Sequence, residues 1–353
     1  MTDKDLSADL AEAVRAAGSG SPLRIVSGGT KDFYGRAPRG EPLQVAGHRG
    51  IVSYEPTELV ITARAGTPLA EIEAALAAQG QRLAFEPPYF GEAATLGGTL
   101  ACGFSGPARP YTGSARDFVL GAKIINGKGE ILSFGGQVMK NVAGYDISRF
   151  MVGALGTLGV LLEASLKVLP RPEAEMTLRF ELPAERAIAE MNAWAARPLP
   201  LSAACHLDGV LYVRLSGTAQ TLRAARTKMG GEDFPDAARF WEALREHRLD
   251  FFATEGPLWR LSVPPATPPM ALAGEWLIDW GGAQRWLKTS ARATDVWAAA
   301  AGAGGHATLF RGGDRAGEVF QPLPPPLQLL HRRLKHAFDP GGVLNPGRFS
   351  TAW

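Results

Sequence analysis

The sequence has little cysteine and no long apolar run. Only Cys102 and Cys205 occur among 353 residues, and they form no CxxC pair. Iron–sulfur clusters and Cys-rich zinc sites need more thiolates, so the chain cannot ligate such a centre by itself. No stretch approaches the roughly 20 apolar residues of a bilayer span, and the N-terminus does not read as a signal peptide. We therefore expect a cytoplasmic protein.

The chain also lacks a marked excess of charge. Lys and Arg total 37 against 35 acidic residues, which gives a net charge of +2. No basic stripe is dense enough to follow a phosphate backbone, so nucleic acid is not expected as a partner. A hydrophobic content of 46% and a charged content of 20% are typical of a water-soluble globular protein. A length of 353 residues favours two domains.

Several catalytic templates are missing. There is no GxGxxG after the first predicted strand, no GxxxxGK[ST], no GxSxG and no HExxH, which disfavours nicotinamide, ATP, serine-hydrolase and zinc-protease chemistry. His331 and His336 lie in the basic run HRRLKH. A solvated helix face explains them better than a metal pair, so no metal site is predicted.

Tryptophan is absent from the first 170 residues, whereas all eight tryptophans lie from Trp194 to Trp353. This shift suggests two differently built cores, and the paired prolines of Pro170-Arg171-Pro172 are suited to end the first. The predicted domains are residues 1–172, a small α+β domain at 173–305, and a C-terminal segment at 306–353 that returns to the first domain. The tryptophans of the second domain fit either core packing, which is favoured, or an interface.

In the first half, Leu6, Leu10 and Val14 predict an amphipathic N-terminal helix. Strands are expected at residues 23–27, 51–54 and 59–65. A helix should follow, with Thr67 as its N-cap and Pro68 in its first position. Asn126-Gly127 predicts a type I′ hairpin turn.

In the second half, the pattern predicts a β-α-β-β-α order that resembles a ferredoxin-like layer. Its elements are a strand at 176–182, a helix at 184–196, a hairpin at Asp208-Gly209 and a helix at 218–229. The Pro-rich stretches 263–269 and 322–326 are interpreted as surface connections. No internal repeat is visible.

Three glycine-containing segments could hold a flat, anionic ligand. Ser27, Gly28, Gly29, Thr30 and Lys31 follow a predicted strand, where backbone N–H groups could bind a diphosphate. A tight turn is the alternative, and it would be preferred if this motif stood alone.

The second segment contains Thr95, Leu96, Gly97 and Gly98 at a predicted helix start, which fits an anion site or a glycine-packed helix start about equally. The third runs from Lys140 to Asp146 and leads into a stretch with Gly153, Gly156 and Gly159. Each glycine would cost a plain helix about 1 kcal/mol, so close approach to a ligand or strand is the better explanation.

Together these segments resemble the FAD-binding module of the vanillyl-alcohol-oxidase, or PCMH, superfamily across nearly the whole chain. SGGTKDFYGR is similar to its first phosphate loop, ATLGGTLACGFSG to its second, KNVAGYDISRFMVGALGTLGVLLEASLKVLP to its flavin-contacting segment and DPGGVLNPGRF to its terminal signature. The resemblance implies an α+β, PCMH-type (VAO-like), two-subdomain FAD-binding module with a short ferredoxin-like cap. The implied FAD-binding residues are Ser27, Gly28, Gly29, Thr30, Lys31, Thr95, Leu96, Gly97, Gly98, Gly106, Asn141, Val142, Tyr145, Gly159, Val160 and Asn345.

Within the superfamily, SGGTKDFYG, AFEPPYFG and the short second domain resemble the smaller FAD-binding subunits of bacterial glycolate oxidases. The resemblance implies a small 2-hydroxyacid substrate, a larger flavoprotein subunit and an iron–sulfur subunit that accepts electrons. Any association with the inner face of the inner membrane would then occur through these partners. Covalent members carry a His where this chain has Thr30, so non-covalent FAD is expected.

The HxGDGNxH metal motif of related D-2-hydroxyacid dehydrogenases is absent. Catalytic residues therefore stay unassigned. His306 and Arg311 could bind a substrate, but an edge strand with a surface Arg explains them about as well. Two hypotheses remain open: a flavoenzyme subunit that takes part in 2-hydroxyacid oxidation, and a non-catalytic subunit that relays electrons or assembles the complex.

Overall fold

The structure, a computed structural model, describes residues 4–136, 146–253 and 255–351. Its strands are β1 (Leu23–Val26), β2 (Glu41–Gln44), β3 (Ile51–Glu55), β4 (Val60–Arg64), β5 (Gln81–Arg82), β6 (Val119–Ile125), β7 (Ile131–Gly135), β8 (Val160–Lys167), β9 (Leu169–Pro170), β10 (Ala174–Glu181), β11 (Leu201–Leu207), β12 (Val210–Gly217), β13 (Glu232–Asp233), β14 (Leu258–Ser262), β15 (Glu275–Asp279), β16 (Gln284–Lys288) and β17 (His306–Arg311). Its α-helices are α1 (Ser7–Ala17), α2 (Leu69–Ala77), α3 (Leu96–Cys102), α4 (Arg109–Thr112), α5 (Ile147–Phe150), α6 (Ala184–Ala195), α7 (Ala219–Met229), α8 (Ala237–Arg245), α9 (Ala293–Gly302) and α10 (Pro325–Phe338).

The chain divides into two compact units. The first comprises Met1–Phe104, Ser114–Pro170 and Arg315–Trp353, and the second comprises Ser105–Gly113 and Arg171–Asp314. The chain therefore leaves the first unit and returns to it. Residues 306–314 lie in the second unit, where β17 pairs with β14. As a domain assignment, the boundaries drawn from the sequence at residues 172 and 305 remain a prediction.

The first unit is built on an antiparallel five-stranded sheet in the order β3-β4-β8-β6-β7. A separate parallel pair, β1 and β2, aligns Leu23 with Glu41, and Leu23 also bridges to Leu344 near the C-terminus. One core cluster packs α2 and α3 against β4 and β8. A second packs α1, β1 and the C-terminal segment against the start of β8. The C-terminal return thus supplies part of the core.

Most elements predicted for the first half are confirmed. The helix α1 buries Leu10 and Val14, and α2 buries its apolar face at Leu69, Ile72 and Leu76. The predicted N-cap of α2 is wrong, since Pro68 holds that position. The Thr67 hydroxyl instead accepts from the Gly50 N–H at 2.9 Å and donates to the Gly50 carbonyl at 3.1 Å. The Thr67 hydroxyl therefore connects the loop before α2 to the loop at Gly50 and does not cap the helix.

The predicted hairpin at Asn126-Gly127 forms between β6 and β7, but not with a type I′ turn. The strands end with Ile125 paired to Ile131, so the loop has five residues, and Gly129 holds the positive φ of +74°. The Asn126 side chain accepts from the N–H groups of Lys128 and Glu130 at 2.9 and 3.0 Å. These bonds favour the longer loop over a two-residue turn.

The second unit begins with the predicted ferredoxin-like layer. The strands β13-β10-β12-β11 are adjacent in that order, with α6 after β10 and α7 after β12. The hairpin between β11 and β12 turns at Asp208 (φ +49°) and Gly209 (φ +79°), as a type I′ turn requires. The Thr218 hydroxyl caps α7 by accepting from the Thr221 N–H at 3.2 Å. The predicted hairpin at Asp208-Gly209 and the predicted helix after it are confirmed.

The same unit contains a second half that the sequence did not reveal. The strands β15-β16-β14-β17 repeat the spatial order of the first four strands in reverse, and β11 joins β15 to complete an eight-stranded sheet. The first helical connection is replaced by the Pro-rich residues 263–274, while α9 supplies the second. The expectation of no internal repeat is therefore wrong at the level of the fold.

Most tryptophans of the second unit are core residues. Trp194, Trp241, Trp259, Trp280 and Trp286 are buried. The Trp241 ring N–H donates to the Thr177 hydroxyl at 2.9 Å, which satisfies its polar atom inside the core. Core packing, rather than an exposed aromatic surface, explains their abundance.

Among the helices of residues 4–136, 146–253 and 255–351, none is both long and apolar enough to cross a bilayer.

Candidate functional site

An open pocket lies in the first unit where the β1 loop, the start of α3, the turn before β8 and the C-terminal segment meet. Its wall contains the predicted loops together with apolar side chains. The lining residues are Arg24, Ile25, Val26, Ser27, Gly28, Gly29, Thr30, Lys31, Asp32, Pro38, Val45, Ala65, Thr95, Gly97, Gly98, Ala101, Cys102, Leu155, Gly156, Gly159, Leu161, Asn345 and Arg348. A pocket with one glycine-rich polar edge and apolar walls suits a flat ligand that carries phosphate.

The first loop presents unused backbone donors to this pocket. The N–H groups of Gly28, Gly29 and Thr30 form no hydrogen bond within residues 4–136, 146–253 and 255–351. Gly29 has a φ of +70°, and a Cβ at this position would contact only the Asp32 carboxylate, at 3.7 Å. Successive N–H groups around a left-handed residue form a concave anion site. The loop therefore fits a diphosphate.

Gly28 is required for another reason. A Cβ at Gly28 would lie 1.6 Å from the carbonyl oxygen of Ala93. This glycine allows the first loop to pack against the chain leading into α3, and the Ser27 and Thr95 hydroxyls are hydrogen-bonded across the same junction at 3.0 Å. The two predicted phosphate loops are thus held together directly.

The two glycines of the second loop have different roles. The Gly97 N–H donates to the Ala65 carbonyl at 2.7 Å, and a Cβ there would lie 2.7 Å from the Ala65 Cβ. Gly97 is therefore required by packing on the end of β4. A Cβ at Gly98 would meet only the Thr95 hydroxyl, at 3.3 Å. Gly98 consequently leaves pocket space open at the start of α3.

Asn345, in the C-terminal segment, connects opposite walls of the pocket. Its side-chain oxygen accepts from the Ile25 N–H at 2.8 Å, and its side-chain nitrogen donates to the Leu155 carbonyl at 2.7 Å. A Cβ at Gly156 would lie 2.7 Å from that nitrogen. Gly156 is therefore needed for the turn to approach Asn345.

A buried ion pair holds the segment that carries Asn345. The Lys335 ammonium of α10 lies 2.5 Å from Asp339 and also donates to the carbonyls of Thr157 and Leu344, at 2.7 and 2.9 Å. Asp339 accepts from the N–H groups of Val343 and Leu344 at 3.0 and 2.8 Å. Burial lowers the pKa of Lys335, and the Asp339 carboxylate opposes that shift. The pair joins α10, the turn that contains Thr157, and the C-terminal segment at Val343 and Leu344.

The charged groups around the pocket are mainly cationic. Arg24, Lys31 and Arg348 line it together with one carboxylate, Asp32. The Lys31 ammonium donates to the Tyr89 carbonyl at 3.0 Å, and the Arg348 guanidinium donates to the carbonyls of Arg36 and Asp32 at 2.8 and 3.1 Å. Burial lowers the pKa of Arg348, yet a guanidinium keeps its charge. This balance favours an anionic ligand.

Most of the residues predicted to bind a cofactor lie together in this pocket. Its wall includes Ser27, Gly28, Gly29, Thr30, Lys31, Thr95, Gly97, Gly98, Gly159 and Asn345. Leu96 and Val160 are instead buried in core clusters next to lining residues. Gly106 belongs to the second unit, where its carbonyl accepts from the Trp280 ring N–H at 3.0 Å. Asn141, Val142 and Tyr145 lie outside the described residues.

Sequence reasoning missed several lining residues, including Arg24, Cys102, Leu155 and Arg348. The recurrence of glycine at 153, 156 and 159 had indicated close approach to a ligand or strand, and Gly156 and Gly159 line the pocket. Arg348 follows Asn345 in the terminal signature and could have been found there. Nothing in the sequence marks Arg24, since its position depends on which side of β1 faces the pocket.

His306 and Arg311 lie at the two ends of β17 in the second unit. Desolvation of the His306 ring, together with the nearby charges of Arg260 and Arg109, lowers the pKa of His306. Within the described ranges, no group of three or more His, Cys, Asp or Glu side chains could hold a metal ion.

Comparisons with known proteins agree with this geometry. Residues 6–135 match the family model described as FAD binding domain. The solved structure of alkyldihydroxyacetonephosphate synthase superposes with a TM-score of 0.66 at 16% identity, covering 96% of this chain and 75% of that one. The family model and the shared fold define the class, an FAD-binding protein with a PCMH-type (VAO-like) fold.

Relatives in sequence narrow this class. Glycolate oxidase subunit GlcE of Escherichia coli (strain K12) is 53% identical over 349 residues, covering 99% of this chain and 98% of the relative. Glycolate oxidase subunit GlcD of Bacillus subtilis (strain 168) is 40% identical over 84 residues, 24% of this chain and 18% of that protein. The chain belongs to the GlcE family of glycolate oxidase subunits.

Proposed function

We propose that this chain is the FAD-binding subunit of a complex that oxidises glycolate or a similar small 2-hydroxyacid. Whole-length identity of 53% to a glycolate oxidase subunit carries the substrate class. The pocket supplies an independent argument for the cofactor, because three adjacent N–H donors and two arginines face the same space. We further propose a larger flavoprotein subunit and an iron–sulfur subunit as partners, since Cys102 and Cys205 are too few for a cluster.

The residues of the pocket have separable roles in this proposal. Gly28, Gly29 and Thr30 bind the diphosphate through their N–H groups, and Arg24 adds positive charge beside them. Val45, Ala65 and Leu161 exclude water from the flat ring system. Bound FAD supplies the two-electron acceptor that converts a 2-hydroxyacid to a 2-oxoacid. Leu96, Val160 and Gly106 are proposed to support the site indirectly.

The second function proposed from the sequence, a subunit that relays electrons or assembles the complex without oxidising substrate, is favoured by the donor set. The titratable residues that line the described pocket are Arg24, Lys31, Asp32, Cys102 and Arg348, with no histidine among them. A hydroxyl oxidation needs a base for the hydroxyl proton and a cation for the carboxylate. Arg348 supplies a cation, and the one lining carboxylate, Asp32, lies beside Gly29 of the first loop. We propose that the base for the hydroxyl comes from another subunit.

Turnover by the isolated chain and by the complex separates the two functions. We expect the chain alone to reduce a dye with glycolate at less than about a tenth of the rate of the complex, because half of the catalytic set is supplied by partners. The measurement is dye reduction by glycolate with the purified chain, with its co-expressed neighbours, and with the neighbours alone. Equal turnover with and without partners would show that this chain oxidises substrate by itself.

FAD is expected to leave the protein on acid precipitation. Position 30 is Thr, and a hydroxyl side chain cannot form the flavin link of a histidine. The check is absorbance near 450 nm in the supernatant and in the washed pellet after precipitation. A yellow pellet after complete denaturation would contradict non-covalent binding.

A further inference from the structure

The C-terminal helix α10 carries an apolar stripe that is covered over only half of its length. Leu327, Leu330, Leu334 and Phe338 follow one another at spacings of three, four and four residues, which places them on one side of a helix. Leu334 and Phe338 pack on the core cluster formed by Ala122, Ile124, Met151 and Leu158. Leu327 and Leu330 are instead 45% and 59% exposed.

The exposed half of the stripe continues an internal surface of the first unit. The short helix α5 packs on the same cluster through Ile147, and its Phe150 is 53% exposed. Large apolar side chains that extend a core outward in this way are typical of a covered interface. Scattered exposure does not explain them, because Leu334 and Phe338, at the same spacing in the next turns of α10, are partly buried against the core.

The exposed charges of α10 are of one sign, and Arg333 lies beside the stripe, about 60° around the helix from Leu330. Arg332 and Arg333 are exposed and form no ion pair within the described part of the chain. The α10 sequence PPLQLLHRRLKHAF contains no acidic residue. Two copies of α10 packed together would oppose arginine to arginine, which disfavours self-association. An apolar groove with an acidic rim is complementary to this helix.

We propose that the stripe Leu327–Leu330, with Phe150 beside it, docks into an apolar, acid-rimmed groove on another protein subunit of the oxidase. The inference rests on the proposed function, in which the chain acts within a complex. Helix-in-groove recognition uses apolar anchors three or four residues apart, as Leu327 and Leu330 are. A membrane surface is a poorer fit, because Leu334, Phe338 and Lys335 already hold one side of α10 against the first unit.

The helix offers a matched control. Leu329 is 45% exposed, as is Leu327, but it lies about 160° away around the helix. The substitutions Leu327→Glu and Leu330→Glu place charge in the proposed interface, whereas Leu329→Glu places the same charge outside it. All three positions are exposed, so each variant should fold and retain FAD as the unchanged chain does.

The test is co-purification of the tagged chain with its co-expressed larger flavoprotein and iron–sulfur subunits. We expect Leu330→Glu to lower recovered partner at least tenfold at unchanged FAD content, with a smaller loss for Leu327→Glu and none for Leu329→Glu. Full recovery with the double variant Leu327→Glu/Leu330→Glu would overturn the docking site while leaving the proposed function intact. Failure of the unchanged chain to bind any partner would overturn both.

Two further measurements distinguish other occupants. Sedimentation of the chain alone would reveal a dimer that Leu330→Glu dissociates, and flotation with vesicles containing an anionic phospholipid would reveal binding that the same variant abolishes. Either result would replace the subunit with a second copy or a membrane and overturn the proposal. Monomeric sedimentation and no flotation are expected.

Discussion

The substitution Gly97→Val is expected to destabilise the first unit by about 3 kcal/mol or more, because extra atoms in a packed position force the backbone apart. A Cβ at Gly97 would lie 2.7 Å from the Ala65 Cβ and 3.0 Å from the Ala65 carbonyl oxygen. The Gly97 N–H already donates to that carbonyl at 2.7 Å, so the loop cannot move away without losing the bond. FAD binding would be lost together with the fold.

The neighbouring substitution Gly98→Val should lower FAD affinity without lowering the stability of the flavin-free chain. A Cβ at Gly98 meets only the Thr95 hydroxyl at 3.3 Å, and Gly98 lines the pocket. A helical glycine also has a poorer helix propensity than valine. The flavin-free chain should therefore keep its stability, while FAD affinity falls by at least two orders of magnitude because the side chain occupies ligand space.

The comparison needs two measurements on each variant. Thermal melting of the flavin-free chain by circular dichroism reports the fold, and titration of FAD fluorescence reports binding. Gly98→Ala provides an intermediate step, with a smaller loss of affinity and no loss of stability. The assignment of roles would be reversed if Gly97→Val folded normally and lost only FAD.

Breaking the Lys335–Asp339 pair is expected to destabilise the first unit by about 3–5 kcal/mol, since removing one partner leaves a buried charge uncompensated. Lys335→Met keeps most of the side-chain volume but removes three donated hydrogen bonds, to Thr157, Asp339 and Leu344. The Asp339 side chain is fully buried and would keep only two backbone donors. Asn345, which lines the pocket, comes directly after Leu344, so displacement of this segment should also lower FAD affinity.

Urea unfolding of the flavin-free chain measures this effect. Trp194, Trp241, Trp259 and Trp286 lie in the second unit, so their fluorescence reports that unit, while circular dichroism reports both. The Lys335→Met transition should shift in circular dichroism and much less in fluorescence. Arg333→Met on the exposed side of α10 is the control and should leave both transitions unchanged.

A double variant isolates the interaction within this pair. Asp339→Asn combined with Lys335→Met should be less destabilising than the sum of the single substitutions, because no uncompensated charge remains. Additive losses, or a Lys335→Met effect below about 1 kcal/mol, would show that the pair does not hold the C-terminal segment.

Local signals in the sequence were sufficient for many elements. The spacing of Leu69, Ile72 and Leu76 predicted the buried face of α2, and Asp208-Gly209 predicted the hairpin turn between β11 and β12. Both features depend on residues a few positions apart. The ferredoxin-like half was predicted for the same reason. The pattern of the second half was obscured where the Pro-rich residues 263–274 replace a helix, so the eight-stranded sheet appeared only in the structure.

The glycine-rich loops, the FAD-type resemblance and the absence of enough cysteine for a cluster were determined by the sequence itself, since each depends on residue type and short spacing. Tertiary structure decided which residues meet. Gly97 and Gly98 are adjacent and chemically identical, yet one packs on Ala65 and the other leaves pocket space open. Asn345 is 320 residues from Ile25 but accepts its N–H. Only the folded chain brings such distant groups within hydrogen-bond distance.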